Sequence, residues 1–487
     1  MTKSSVVFLI FFLGTPLAPD IVAVACILVF GLQLAVFVVR QSARALLAQP
    51  WSARPRSTTP IFSVHLATCN EPPELVRRTI DALAHQDYPS HLWELIVIDN
   101  NTVDPALWQP VRRFCSVLGA RYKFLHREGV KGAKAGALNI ALEYSRADTT
   151  HVVTIDADYI AEPTFLSEAA RALATTGADY VQFPQAYQRS NNAAEGVDIE
   201  LQEYFLSDAR TADDAEAVLL TGTLCIISSS ALRMVGGWSG YTATEDAELG
   251  VRLCGAGFRG HYIPTVVARG LLPLSFNDLE KQRYRWASGN LRTLLLHVSN
   301  LLDPKVMLRR RQVLAIVAQL CAWLNFGLIP AACLLAAAIT NETTPTLANI
   351  TSLSLLFGLG ETLTRLFLRL YPDGYSFKAV LSAAASRLAL APVSARATVS
   401  ACIPGPQSFV VTRKKAARGE PVDLPVDQLM LFCMALVAIW ALVDAPLLHR
   451  FGAAVLLLPL PASVWVSIEL SRYRKSVHLT NSNEVIA

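Results

Sequence analysis

Asp156-Ala157-Asp158 follows the apolar run 152–155 without a gap. In an extended segment, side chains at i and i+2 point the same way. Two carboxylates so placed can share one hard divalent cation, or divide between metal and ribose. Magnesium-like ions take one or two carboxylates and complete their shell with substrate phosphates. A capped, solvated turn is the bland alternative. Thr244-Glu245-Asp246 precedes the helical run 247–254. Acidic residues favour helix N-termini and Thr is a common cap, so a structural explanation stands ready. The chemical reading makes Asp246 a general base that removes a proton from an acceptor hydroxyl. Gln282-Arg283-Tyr284-Arg285-Trp286 supplies a donor, a fixed cation for a diphosphate leaving group and a flat apolar face for a sugar ring. An amphipathic interface helix with a snorkelling Arg is its alternative. Lys134 opens a helical run and would meet phosphate or base there, or simply face solvent. Phe409-Val410-Val411-Thr412 stands before Arg413-Lys414-Lys415 and reads both as a positive loop and as a flap over a nucleotide.

These residues need a frame to bring them together. Strand-forming runs at 61–67, 95–98, 121–126 and 152–155 alternate with helical patterns at 73–85, 105–118 and 133–145. Such alternation predicts a parallel sheet covered by helices on both faces. Ligands of open α/β sheets bind beyond the carboxyl ends of the strands. Thr68, Asp99 and Asp156 all fall at such ends, so one crevice should collect them. The sequence has no G-x-x-x-x-G-K-[ST] or G-x-G-x-x-G element, so carboxylates and a metal would hold the nucleotide.

Composition locates the rest. Of 487 residues, 52% are hydrophobic and 17% charged, against about a quarter charged in ordinary soluble domains. The apolar excess sits in 5–40, 312–339, 347–368, 427–447 and 452–470. A span needs roughly 20 apolar residues, so the last four qualify, and 5–40 fits one span or a hairpin of two. A cleaved signal peptide is not indicated. Basic clusters at 309–311, 413–418 and 472–475 place 41–311, 369–426 and the C-terminus on the cytosolic side. The expected organisation is N-terminal spans over 1–45, a cytosolic α/β domain over 55–300 and spans over 312–370. An interface helix and gating loop follow over 371–426, then spans over 427–471 and a tail over 472–487. Nine scattered cysteines point to reduced thiols and away from zinc. A net charge of +4 is too small to suggest nucleic-acid binding.

Taken together, these motifs resemble the membrane-embedded processive family 2 glycosyltransferases: the cellulose, chitin and hyaluronan synthases and related β-glucan synthases. The resemblance covers about residues 55–425. It implies a GT-A-type domain, a Rossmann-like mixed α/β sheet, joined to an α-helical transmembrane region. It implies a nucleotide-sugar-dependent hexosyltransferase of the inner or plasma membrane, multi-pass, with its catalytic domain in the cytosol. Thr68, Asn70, Glu71, Asp99, Lys134 and Asp156 would then bind nucleotide, with Phe409, Val411 and Thr412 in the gating loop. Asp158 would hold Mg2+ or Mn2+. Asp246, Glu245, Gln282, Arg285 and Trp286 would be catalytic, and Trp286, Thr221, Gly222, Thr223 and Gln185 would meet the acceptor.

The reaction so implied is inverting, processive polymerisation of a β-linked glucan from UDP-glucose, with translocation of the product. A UDP-sugar donor, a growing polysaccharide, membrane lipids and accessory secretion proteins are the implied partners. Thr221 stands where the family has Cys, and Gln185 departs from the cellulose-type segment. A chitin, hyaluronan or mannan type of synthase therefore remains an alternative. So does a non-processive transferase charging a lipid, although those usually lack Q-x-x-R-W. A transporter and an inactive scaffold are further rivals. Intramembrane charges would mark a transporter's pathway, and Glu361, Arg365 and Asp444 are few.

Overall fold

The computed structural model describes residues 2–46, 59–188, 194–303, 306, 308–341, 344–404 and 426–484. The expected gating loop, with Phe409, Val411 and Thr412, lies outside them.

Ten strands form between Phe62 and Gly270: β1 Phe62–Thr68, β2 Trp93–Asn100, β3 Tyr122–Arg127, β4 His151–Asp156, β5 Ile160–Ala161, β6 Tyr180–Gln182, β7 Ala186–Tyr187, β8 Cys225–Ser228, β9 Gly260–Tyr262 and β10 Ala268–Gly270. Seven make one sheet in the order β3-β2-β1-β4-β8-β6-β9. The first four strands run parallel, as the alternation predicts. The all-parallel expectation stops at β8, which pairs antiparallel with both β4 and β6. A second sheet, β5-β10-β7, flanks the first.

Burial on both faces explains the unbroken apolar run Leu95-Ile96-Val97-Ile98 in β2. All eight residues of β2 are buried. Leu95 and Val97 pack into one core with Val76, Ile80 and Leu83, while Ile96 and Ile98 pack with Ala137 and Ala141 on the other face. That division is the period-two alternation of a strand. Val76, Ile80 and Leu83 recur on one face of the helix Pro73–Ala84, and each contributes about 1.5–3 kcal/mol by leaving water.

The sheet register aligns the functional ends. Thr68 on β1 pairs with Asp99 on β2, Asp99 with His126 on β3, and Ala67 on β1 with Asp156 on β4. The 27-residue helix Phe276–Leu302 then crosses beside these ends, started by Ser275, whose hydroxyl accepts from the Asp278 amide.

The apolar segments fold as helices packed against this domain. Two helices, Lys3–Leu17 and Pro19–Leu46, meet at Ala18. The stretch 312–339, expected as one continuous span, is instead two helices, Arg310–Leu320 and Leu328–Thr340. The reason is polar: buried Gln319 accepts from the Leu219 amide at 2.8 Å and donates to the Ala217 carbonyl at 3.0 Å, tying the first piece to the α/β domain. Among the described residues, two helices are long and apolar enough to cross a membrane, Pro19–Ala43 and Leu447–Val477. Lys3–Leu17, Leu328–Thr340 and Asp427–Ala441 are apolar but shorter.

Candidate active site

The strand ends and the helix Phe276–Leu302 enclose a cleft of about 180 Å3. Its wall includes Thr68, Glu71, Lys134, Asp156, Asp158, Gln185, Thr221, Gly222, Glu245, Asp246, Gln282, Arg285 and Trp286. Residues separated by more than two hundred positions in the sequence thus share one cavity.

Each element has a local reason to deliver its side chain. Asp156 ends β4, and its amide is held by the buried Thr223 hydroxyl at 3.0 Å. Lys134, near the start of the helix Ala133–Glu143, donates to Asp156 Oδ1 at 2.5 Å and to the Gly222 carbonyl at 2.8 Å. Gly222 has φ +84°, and a Cβ there would stand 2.9 Å from Asp246 Oδ2. A side chain at this turn would therefore be strained and would crowd the acid. Gln282, Arg285 and Trp286 are spaced i, i+3, i+4, so one helix face points all three into the cleft. Arg283 points elsewhere, to buried Glu200, with bonds of 3.0 and 2.6 Å. Gly289, one turn on, lies against Thr244, where a Cβ would come within 2.8 Å.

Electrostatics separate the acids. Desolvation in the cleft and the adjoining Glu245 carboxylate push Asp246 up to about 7, against the pull of the Ala247 amide and Lys134. Burial alone would lower Lys134, yet Asp156, Glu245 and Asp246 hold its ammonium above the ordinary value. A carboxyl poised near neutrality beside a fixed cation can take up a proton at working pH. Thr244 precedes the helix Glu245–Gly255 without making a side-chain cap bond, so capping does not account for its hydroxyl. Three buried atoms of the wall, Thr221 Oγ1, Thr244 Oγ1 and Gln282 Oε1, have no hydrogen-bond partner among the described residues. Buried polar atoms without partners are uncommon in native structures.

Three expected site residues stand off the wall. Asp99 is buried behind it, accepting from Thr68 at 3.2 Å, Thr102 at 2.7 Å and His126 at 2.8 Å when that imidazole carries its Nδ1 proton. Asn70 has a left-handed backbone, and its amide donates to Thr102. Thr223 is fully buried and positions Asp156.

The structure adds groups that the motifs did not flag. Tyr187 and Tyr159 line the cleft beside Asp158. Burial, with the Asp158 carboxylate adding to it, holds the Tyr187 phenol well above its usual range. From Asp246 and Trp286 the cleft continues through a narrower space of about 50 Å3 to Trp323, whose ring lies 5.4 Å from Trp286 and 5.7 Å from Tyr204. Trp323 sits in the non-helical link after Leu320, where the sequence suggested a continuous span.

No cluster of three or more His, Cys, Asp or Glu side chains able to hold an ion occurs among the described residues. Asp158, with Asp156 two positions away, fits a hard divalent ion whose other ligands are phosphate oxygens.

Comparison with known proteins bears on this geometry. Residues 60–289 match the family model described as Glycosyltransferase like family 2. A cellulose synthase catalytic subunit (UDP-forming) from Xanthomonas axonopodis pv. citri is 30% identical over 239 residues, 47% of this chain and 31% of that protein. Glucomannan 4-beta-mannosyltransferase 7 of Arabidopsis thaliana is 30% identical over 240 residues, 47% of this chain and 42% of its own length. The matched stretch thus spans less than half of either relative. Among solved structures, a mannosyltransferase from Pyrobaculum calidifontis, in complex with GDP-Man and Mn2+, superposes with a TM-score of 0.52 at 23% identity. The superposition covers 75% of this chain and 97% of that one, and it shows a shared fold.

Proposed function

We propose that the protein, whose residues 60–289 match the model described as Glycosyltransferase like family 2, is an inverting, processive hexosyltransferase that builds a β-linked glucan. UDP-glucose is the donor, and the product leaves across the membrane. One observation carries this reading: Asp156, Asp158, Asp246, Gln282, Arg285 and Trp286 wall a single cleft that runs on to Trp323.

The nucleotide sugar enters over the strand ends. Asp158, with Asp156 beside it, would hold a divalent ion, Mg2+ or Mn2+, which when bound would offset negative charge on the departing nucleotide. Arg285 and Lys134 supply fixed positive charge at the same end, and preorganised charge of this kind favours the transition state. Asp246 takes the proton from the acceptor hydroxyl as that oxygen attacks the anomeric carbon and the nucleotide diphosphate leaves from the opposite face. Gln282, Thr221 and Thr244 orient sugar hydroxyls, and Trp286 lies under the acceptor ring. Trp323 receives the preceding sugar. The helices Pro19–Ala43 and Leu447–Val477, joined by the shorter apolar helices, anchor the protein in the inner or plasma membrane with the α/β domain in the cytosol.

A second reading, a mannan-type synthase using GDP-mannose, is favoured by the glucomannan mannosyltransferase relatives and by the departures at Thr221 and Gln185. Membrane vesicles given a panel of UDP- and GDP-sugars decide between them. A β-linked polymer from UDP-glucose supports the first, polymer from GDP-mannose the second. A single sugar on a lipid overturns both.

A further inference from the structure

The proposed base and the acceptor platform belong to different helices. Asp246 lies in the first turn of Glu245–Gly255, whereas Gln282, Arg285 and Trp286 sit on Phe276–Leu302. The packing of these two helices therefore sets the distance between base and platform. A misplacement of about 1 Å can cost on the order of 100-fold in rate.

Three contacts hold the pair, and their residues on the longer helix recur at i, i+4 and i+8, along one face. At Gly289 the missing Cβ lets the helix backbone lie against Thr244. At the next turn the Thr293 hydroxyl donates to the Thr242 hydroxyl at 3.2 Å, and both side chains are buried. One turn further on, His297 Nε2 lies 2.9 Å from Glu248 Oε1 and donates to it when that nitrogen carries the proton. Trp286 and His297 are eleven positions apart, about three helical turns, so both rings fall on the face that these contacts occupy.

Glu248 is itself a junction. It is buried, and Arg252, one turn along its own helix, takes both carboxylate oxygens: Nε lies 2.9 Å from each, and Nη2 2.8 Å from Oε2. The same guanidinium donates to the Val235 carbonyl at 2.5 Å and the Gly237 carbonyl at 2.8 Å. Trp238, the next residue, exchanges two backbone bonds, of 2.8 and 2.9 Å, with the Asn139 amide on the helix that carries Lys134. Burial disfavours a charged Glu248, yet hydrogen bonds from His297 and Arg252 hold its carboxyl below the usual range. An ionised acceptor makes the bonds it receives about twice as strong as neutral ones. One carboxylate thus links the helices that carry Lys134, Asp246 and Trp286. His297 is not part of the cleft wall, so it reaches the reaction through Glu248 and not through substrate.

We propose that His297 is a positioning residue for sugar transfer: through Glu248 it keeps the face bearing Gln282, Arg285 and Trp286 in register with Asp246. The proposal rests on the reading above, with Asp246 as the base and the acceptor at Trp286.

His297→Asn and His297→Gln, each made in the full chain in phosphatidylcholine nanodiscs, test it. The amide nitrogen of Gln reaches the place of the imidazole Nε2, whereas that of Asn falls one methylene short. With the donor that the nucleotide-sugar panel identifies, the Asn variant should lose at least about tenfold in kcat while the donor KM stays unchanged. UDP affinity by calorimetry should be equal in all three proteins, and the Gln variant should recover most of the lost kcat. Hydrogen exchange over residues 242–248 should quicken in the Asn variant alone. An Asn variant with unaltered kcat, one whose loss lies in the donor KM, or a Gln variant as slow as the Asn variant overturns the proposal. Loss of UDP binding by the Asn variant also overturns it, because His297 would then hold the fold as a whole. If the unaltered protein transfers sugar from no donor, the catalytic reading fails by itself. Exchange then still decides the contact, and equal exchange in the three proteins overturns it.

Discussion

Asp246 and Glu245 are adjacent carboxyls at the start of the helix Glu245–Gly255. Burial first, and repulsion from Glu245 second, keep the proton affinity of Asp246 high. As the proposed base Asp246 must be ionised to work, so kcat/KM should fall as pH drops through about 7. Glu245→Gln removes the repulsion, lowers the Asp246 value and shifts that acid limb to lower pH; an unmoved limb in the pH–rate profile would contradict this electrostatic account. Asp246→Asn should cost about 10²–10⁴-fold in kcat, the usual worth of a general base, while UDP affinity measured by calorimetry stays nearly constant.

At the scale of elements, the helix Phe276–Leu302 sets the geometry by touching both the site and the helices behind it. Gly289→Leu would drive it off Thr244, given the 2.8 Å that a bare Cβ already faces. Displacing Gln282, Arg285 and Trp286 by about 1 Å is expected to lower kcat on the order of 100-fold, read against an unchanged fold by circular dichroism. Arg283 and Glu200 are 1% and 0% exposed, and removing one partner strands the other. Arg283→Met should therefore cost about 3–5 kcal/mol in denaturant unfolding, tempered by Arg387, which also pairs with Glu200. Much of this architecture was legible from sequence because it is local. Strand runs end in polar residues, helices start at Pro73, Pro105 and Ala133, and the i, i+3, i+4 triplet declares its own face. What escaped depends on contacts distant in sequence. Nothing near Thr68 predicts that Asp99 turns back to His126, and the break after Leu320 follows from Gln319 binding the backbone of Leu219 and Ala217. Tyr187 and Trp323 carry no motif, so only the closed fold places them beside Asp158 and Trp286.

For the whole molecule, the cleft of the α/β domain leads past one aromatic step, Trp323, into a cavity among the helices. Trp323→Ala should shorten the product while leaving the initial rate of UDP release close to normal, since the residue lies beyond the reacting atoms. Product sizing by gel filtration checks it, and full-length polymer from that variant would remove Trp323 from the path. Radiolabelled UDP-glucose given to the purified chain in nanodiscs, with Asp246→Asn alongside, shows whether the distant carboxylates act together on one donor sugar. β-Linked polymer should form on the unaltered protein and at least about 100-fold more slowly on the variant, with UDP bound equally by both. Polymer made by the variant at the unaltered rate, or one labelled sugar on a lipid from either, would rule this out.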